Sequence, residues 1–383
     1  MLVGGLAKNV PGEEGHALPT ADELLGSEQA QRLHTHLSRA AGRPLPTLAA
    51  AVGQLDSLVL SARAAALADA ALADLPSNSG AIATVREAAA DPDFEGWLIW
   101  SAGLVAAGAA LRDGGEEAFD EAMDVLALLT PRNTSEFSIR PLLAARPERA
   151  LAIMRGWTGH EHPHVRRLAS EGSRPLLPWG KRIPALVRDP ELALPILDAL
   201  RTDPDDYIYR SVANHLNDHS RAHPEWVLGT AQRWAGEGGG ESAWVIKHAL
   251  RTLVKAGNPV ALELLGFGGA SLRVDGPVLD AASVSWGGEL ALGARIVNDG
   301  AEPARLVVDY ALHLQGSRGS GRRKVFKVAT PTLAPGEEWG FERTFSFRPI
   351  STRVYYPGEH QIELLVNGAS YGPVPFELLP PAL

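Results

Sequence analysis

Ala- and Leu-rich stretches interrupted by Pro, Gly and Asp fill the first two-thirds of the chain, and their spacing predicts helices. Ala49 to Leu75 is the longest such stretch, and its Ala-rich face suits close helix packing and a scaffolding role. Before it, residues 1–20 are rich in Gly, Glu and Pro and read as a flexible arm. From Thr130 to Phe267 one phrase recurs: an aliphatic or aromatic residue, then Arg or Lys, then an apolar group. It stands at Ile139-Arg140, at Val165-Arg166-Arg167-Leu168-Ala169, at Tyr209-Arg210-Ser211-Val212-Ala213, and more loosely at Ile246-Lys247-His248-Ala249. The two best copies lie 44 residues apart, each preceded by a turn suited to starting a helix, His162-Pro163 or Asp203-Pro204.

That period lies within the HEAT-like range, where each unit buries one face against the next, so a curved stack of helix pairs is expected. After Gly266 the pattern changes. Leu290–Val297, Arg305–Leu314, Lys324–Ala329, Phe341–Phe347 and Gln361–Val366 read as strands, separated by breakers such as Asn298-Asp299-Gly300, Pro335-Gly336 and Asn367-Gly368. In the second, Leu306, Val308, Tyr310, Leu312 and Leu314 recur at period two and predict a strand buried on one side. Several short strands of this kind fit a β-sandwich of about 110 residues.

A chain of 383 residues, 45% hydrophobic, is long enough for two domains. It has no cysteine, which excludes disulfides, thiolate metal ligands and cysteine nucleophiles. With neither a secretory leader nor a long apolar span read in the sequence, a soluble cytoplasmic protein is expected. The net charge of −9 hides an asymmetry: Pro131–Asn258 holds 18 Lys or Arg against 14 Asp or Glu, a balance of +4 that leaves −13 for the rest. That local excess is compatible with a polyanionic partner but does not identify one.

Candidate chemistry concentrates in the same region. Leu168-Ala169-Ser170-Glu171-Gly172-Ser173-Arg174-Pro175, closed by Leu176-Leu177-Pro178-Trp179-Gly180, sets a carboxylate and an indole near the expected end of a short helix. Glu136 lies upstream and Asp218 downstream, so three acids on neighbouring helices can share one site. Each has a plainer reading: Glu136 paired with Arg140, Glu171 with Arg167, Asp218 as an exposed acid or cap, and Trp179 as core packing. Arg166, Arg167, Arg174, Lys181, Arg210, Lys247 and Arg251 are candidates for holding phosphates, with about half expected to do so, and Arg210 has Asp206 as an alternative partner. His160, His162, His164, His215, His219 and His223 lack a HExxH unit, so no metal site is expected. Gly238-Gly239-Gly240 lacks the Lys-Ser or Lys-Thr of a phosphate-binding loop and reads as a plain loop.

The quoted runs resemble the AlkC-type branch of the HEAT-like-repeat DNA alkylation repair glycosylases. The resemblance rests on Thr134-Ser135-Glu136-Phe137, on His164 through Pro175 with Leu177-Pro178-Trp179-Gly180, on Ser211-Val212-Ala213-Asn214-His215-Leu216-Asn217-Asp218, and on Trp244 through Leu253. Gly257-Asn258-Pro259 and Leu264-Leu265-Gly266-Phe267 extend it. The tail, through Phe347-Arg348-Pro349-Ile350-Ser351-Thr352-Arg353 and Tyr355-Tyr356-Pro357-Gly358-Glu359-His360, resembles the immunoglobulin-like domain of some members of that branch. Before about Asp91 the chain matches only as generic helix.

The resemblance implies a multidomain fold, an all-α HEAT-like repeat solenoid over residues 21–267 and an all-β immunoglobulin-like sandwich over 271–376. It implies hydrolysis of the N-glycosidic bond of cationic alkylated bases in double-stranded DNA, especially 3-methyladenine, 3-methylcytosine and 1-methyladenine, leaving an abasic site. No cofactor or metal is implied. The family's catalytic carboxylates fall on Asp218, Glu171 and Glu136, and its site tryptophan on Trp179. The tail is expected to contact DNA through Arg322, Arg323, Lys324 and Lys327, and through Arg348 and Arg353. No heptad or apolar interface stands out, so a monomer is expected. Two other readings stay open: a non-catalytic helical-repeat scaffold binding DNA or protein, and a metal-dependent nuclease using the carboxylates as ligands.

Overall fold

In a computed structural model of the chain, residues 19–75, 77–316, 321–349 and 354–381 are described; most of the expected N-terminal arm, residues 1–18, lies outside them. The helices are α1 (Ala21–Leu25), α2 (Ser27–Ala41), α3 (Pro46–Val52), α4 (Leu60–Asp74), α5 (Asn78–Ala88), α6 (Leu98–Asp113) and α7 (Glu116–Leu129). They continue as α8 (Arg140–Ala145), α9 (Pro147–Gly156), α10 (Pro163–Gly172), α11 (Pro184–Arg188), α12 (Leu194–Leu200), α13 (Asp206–Asp218), α14 (Pro224–Glu237), α15 (Ser242–Ala249), α16 (Arg251–Lys255) and α17 (Pro259–Leu264).

Local chemistry sets several of these starts. Thr20 and Glu23 close a capping box on α1. Pro163 opens α10 behind His162, whose ring Nδ1 accepts from the His164 amide at 3.2 Å. Asp205, rather than the Asp203-Pro204 pair, caps α13 by accepting from the Tyr207 amide at 3.0 Å. The expected helix across Ala49–Leu75 is divided in two, because Gly53 ends α3 and a turn intervenes before α4. α6 approaches α4 closely: a Cβ placed on Gly108 of α6 would lie 2.8 Å from Leu72 of α4.

The chain forms two compact units. One runs to Val227 and resumes over Arg233–Ala249; the other holds Leu228–Gln232 and everything from Leu250. In the first, α10 packs on α12 and α13, and α13 packs on α12 and α15, with Val165, Leu168, Ile196, Leu197, Val212, Leu216 and Val245 buried along the contacts.

The second unit is a sandwich of β1 (Leu272–Leu279), β2 (Ser283–Val284), β3 (Glu289–Asn298), β4 (Ala304–Arg305), β5 (Val308–Leu314), β6 (Arg322–Ala329), β7 (Thr332–Leu333), β8 (Glu338–Ser346), β9 (Gly358–Val366) and β10 (Ala369–Leu378). One sheet has the order β1-β3-β8 and another β2-β10-β9-β5-β6, with a small β4-β7 pair beside them. Leu290, Leu292 and Ile296 meet Leu312, Ile362, Leu364, Phe345 and Phe376 in the shared core. β1 and β10 were not among the expected strands, and each contains a Gly-Pro pair, Gly276-Pro277 or Gly372-Pro373. Both pairs occupy register shifts inside strands, between Asp275 and Val278 and between Tyr371 and Val374.

Two further expectations shift. β5 is buried on both faces, because Asp309 and Ala311 are covered as well as Tyr310 and Leu312. α16 and α17, expected at the end of the helical domain, cluster with the sandwich: Leu262 and Phe267 pack against Val307, and the Arg305 guanidinium lies 4.8 Å over the Phe267 ring.

The turn that carries Glu136 is wedged against α6. A Cβ on Gly103 would lie 2.6 Å from Ser138 Oγ and 2.9 Å from Leu126, and Ser138 donates to the Trp100 carbonyl at 3.0 Å. Gly103→Ala is expected to destabilise the helical unit by about 1–3 kcal/mol. Urea unfolding followed by circular dichroism measures this, and an unchanged midpoint would contradict the packing described.

Candidate active site

α10 places Arg167 and Glu171 four residues apart on one face, and Arg174 follows just beyond the helix end. α13 carries Ser211 and Asp218 two turns apart, on the face packed against α10. Glu136 comes from the turn before α8. The three acids and two arginines form one connected run. Arg167 donates to Glu136 at 2.7 Å and lies 3.5 Å from Glu171. Arg174 donates to Glu171 at 2.7 Å and grips both oxygens of Asp218 at 2.9 and 3.0 Å. Ser211 donates to the other Glu171 oxygen at 2.6 Å, and Thr134 donates to Glu136 at 2.8 Å.

Glu136 and Glu171 are buried, and the Asp218 side chain is only 9% exposed. The expected pairing of Glu171 with Arg167 is present, but Arg140, the expected partner of Glu136, bonds carbonyl oxygens instead. Burial opposes ionisation of Glu171, yet the charges of Arg167 and Arg174 and the Ser211 hydrogen bond together outweigh it and hold its carboxyl below the usual value of 4.5. At Asp218 burial prevails: it pushes the carboxyl above its usual 3.8 against the hydrogen bonds and charge of Arg174, with Glu171 adding to the rise. Two acids joined to one guanidinium are thus pushed in opposite directions.

Several basic residues depart from the phosphate-holding expectation. Arg167 and Arg174 are directed inward at carboxylates, and Arg167 also lies 4.4 Å over the Tyr207 ring. Arg166 grips Asp203 at 2.8 and 3.3 Å and donates to the His160 and Glu161 carbonyls, which ties together two loops at the ends of α10 and α13. Arg210 pairs with Asp206 at 3.1 Å and lies 5.2 Å over Trp244, itself stacked on His248. Lys181 and Lys247 are exposed, and Arg251 is half-buried in the second unit. Trp179 is 52% exposed, which rules out the plain core-packing reading.

The basic tail run is divided by strand alternation. Arg322 and Lys324 pair with Leu314 and Leu312, whereas Arg323 and Lys327 pair with His313 and Asp309 on the other face. Arg323 also reaches Glu363 at 3.3 Å. Arg348 is exposed, and Arg353 lies outside the described residues.

His215 and His219 are buried and held largely neutral by that burial, His219 with its pKa lowered to about 4. His160 and His162 accept backbone amides in the turn before α10, and His223 meets the Val187 carbonyl at 2.8 Å. No cluster of three potential metal ligands occurs among the described residues. A cavity of about 380 Å³ lined by Arg43, Leu75, Thr84 and Glu87 contains none of the three carboxylates. Sequence reading missed Ser211 and Thr134 as partners of the acids; the seven-residue spacing of Ser211 and Asp218, two helical turns, was the available signal for the first.

The chain is similar in sequence and fold to known proteins. The model of the DNA alkylation repair enzymes matches residues 133–253, and the C-terminal Ig-like domain model of the uncharacterised protein YhaZ matches 273–380. The uncharacterized protein YhaZ of Bacillus subtilis is 39% identical over 251 residues, 65% of this chain and 70% of its own. The structure of Pseudomonas fluorescens alkylpurine DNA glycosylase AlkC, bound to DNA containing an abasic site analog, is 32% identical with a TM-score of 0.76, covering 94% of this chain and all of that one. Together they define a helical DNA alkylation repair domain joined to an immunoglobulin-like domain. The chain belongs to the AlkC-type branch of the DNA alkylation repair enzyme family.

Two outcomes follow from the charge run. Arg174→Met leaves Glu171 and Asp218 buried without their shared cation and is expected to cost about 3–5 kcal/mol of stability, of which Arg174→Lys recovers only part, because an ammonium cannot replace the planar fork. Urea midpoints of the two variants measure it. Glu171, with its native pKa lowered, contributes stability that is present above pH 4.5 and is lost as pH falls through the native value. Glu171→Gln is therefore expected to flatten the acid side of the stability profile, and an unchanged slope below pH 4.5 would contradict this.

Proposed function

We propose that the chain is a monofunctional DNA glycosylase that hydrolyses the N-glycosidic bond of cationic alkylated bases, with 3-methyladenine, 3-methylcytosine and 1-methyladenine as substrates, and leaves an abasic site. The observation that carries this reading is the enclosed run of three carboxylates and two guanidinium groups, with a formal excess of one negative charge, in which the pKa values of Glu171 and Asp218 are pushed in opposite directions. The family relationship, and the AlkC structure with DNA, support the choice of DNA as substrate.

A cationic base is already a good leaving group, so its departure calls on the site chiefly to stabilise the charge that develops on the sugar. Glu171, kept anionic by Arg167, Arg174 and Ser211, is a preorganised negative group for that task, effective in the transition state and little engaged by the neutral sugar. Asp218, with its pKa raised by burial, is the better proton acceptor and takes the water-activating role. Arg174 holds both acids in place before DNA arrives. Glu136 closes the other end of the run through Arg167. Trp179, exposed on the segment after Arg174, offers an apolar face and an attraction for positive charge. Phosphate contacts are assigned to the exposed Lys181 and Lys247 and to the sandwich cations Arg323 and Lys327, so binding weakens as salt rises.

One observation favours a second reading, a non-catalytic DNA-binding scaffold: every acid of the run already has an arginine partner, as a purely structural ion-pair network would. Chromatography of bases released from methylated duplex DNA in the presence of a chelator separates the two. Release by the unaltered protein, reduced about 100-fold or more in Asp218→Asn with DNA affinity kept, is the expected outcome. The acid limb of the pH profile for release should lie above pH 3.8, since Asp218 acts as a base only when deprotonated. Saturable DNA binding without release of any methylated base would favour the scaffold.

A further inference from the structure

Arg140 opens α8 four residues after Glu136, yet its side chain is directed elsewhere. It is 2% exposed, and its bonds go to backbone carbonyls: Nη1 donates to Gly172 at 3.0 Å and to Arg174 at 2.9 Å, and Nε donates to Lys181 at 2.5 Å. Those carbonyls stand at the two ends of one segment, 172–181. Within it, Arg174 turns back to the carboxylates and Trp179 is exposed.

The segment is held in an unusual shape. The Gly180 amide donates to the Leu177 carbonyl at 3.1 Å, which closes a turn with Pro178 second and Trp179 third. Trp179 has φ +63°, a conformation that a turn of this pattern usually gives to glycine and that a bulky residue keeps only where its surroundings enforce it.

Two glycines make room for the Arg140 region. A Cβ on Gly180 would lie 3.1 Å from Arg140 Cδ and 2.9 Å from Leu177, and one on Gly172 would lie 3.0 Å from Ile139. Burial lowers the Arg140 pKa to about 10, with the Arg174 charge adding to the effect, so the side chain stays cationic at neutral pH. Its Nη2 is buried without a hydrogen-bond partner. A cation kept inside with one donor unsatisfied is costly, and a plainer residue would serve if filling space were its only task.

We propose that Arg140 is a positioning residue for the proposed reaction: by clamping the carbonyls of Gly172, Arg174 and Lys181 it fixes the segment that presents Trp179 and anchors the Arg174 guanidinium between Glu171 and Asp218. No other residue type spans all three acceptors with one planar group. Arg140 acts on the chemistry only through Trp179 and Arg174. The catalytic part of this inference rests on the glycosylase reading, whereas the clamp itself does not.

The test uses full-length protein labelled with 5-fluorotryptophan, whose nine tryptophans give separate fluorine resonances, with Trp179 assigned through Trp179→Phe. Arg140→Lys keeps the charge but loses the fork, and Gly180→Ala disturbs the clamp from the segment side. Both are expected to shift or broaden the Trp179 resonance while leaving most others in place. Both are expected to lower the single-turnover rate of 3-methyladenine release by about 10–100-fold, with little change in affinity for duplex DNA. A Trp179 resonance unmoved in both variants overturns the proposal whatever the rates do. Loss of all dispersed resonances and of DNA binding in both assigns Arg140 to maintenance of the fold and overturns it equally. If the unaltered protein releases no base, the glycosylase reading fails while the resonances still decide the clamp.

Discussion

Three carboxylates can be buried side by side only if cations stand between them. The run Glu136, Arg167, Glu171, Arg174, Asp218 meets that requirement with alternating sign. Removing the water around such groups raises the energy of every unpaired charge, and the shared guanidinium groups offset that cost while fixing geometry. Helix placement is subordinate to this need: α10 supplies an arginine and a glutamate one turn apart, α13 supplies a serine and an aspartate two turns apart, and their packing closes the run.

The same guanidinium treats its two acids differently. Glu171 is flanked by two arginines and a serine hydroxyl, so its anion prevails over burial. Asp218 has one arginine, Arg174, and the Leu176 backbone against burial and a neighbouring anion, and burial prevails, so its proton is held more tightly. Divergent environments for neighbouring acids are how one site divides the roles of fixed charge and proton acceptor. The proposed chemistry needs that division, since an oxocarbenium-like sugar calls for an anion and the incoming water for a base.

The second unit shows how strand geometry redistributes a charge cluster. Arg322, Arg323, Lys324 and Lys327 form one basic run in sequence, yet alternation along β6 sends Arg323 and Lys327 to a face shared with His313 and Asp309, and Arg322 and Lys324 to the other. The face with Arg323 also holds Glu363, which lies 2.8 Å from His313 and so tempers its positive charge. On the same unit, Val307 is covered by Leu262 and Phe267, which explains why two short helices belong with strands.

Much of the architecture was legible because it is local. Helix starts at Pro163 and near Asp205 follow from proline and capping chemistry, and five strands follow from β-prone segments set between turn residues, one of them with apolar residues at period two. The four candidate site residues were legible as motifs, and the partners of Glu171 in part as helical spacing. The strands β1 and β10 were not, because Gly-Pro signals a turn unless a partner strand absorbs the irregularity as a register shift. The fate of each arginine was not legible either. Arg167, Arg174 and Arg140 look alike in sequence, and each has acids or carbonyls within reach; only long-range packing decided which were buried and to which acceptors they were committed. The sequence by itself determined the helical and strand-rich halves and the residues available for chemistry, because both follow from short-range periodicity and residue type. The tertiary structure decided the opposite pKa shifts of Asp218 and Glu171 and the acceptors of Arg140, because burial and hydrogen-bond partners are set by segments far apart in the chain.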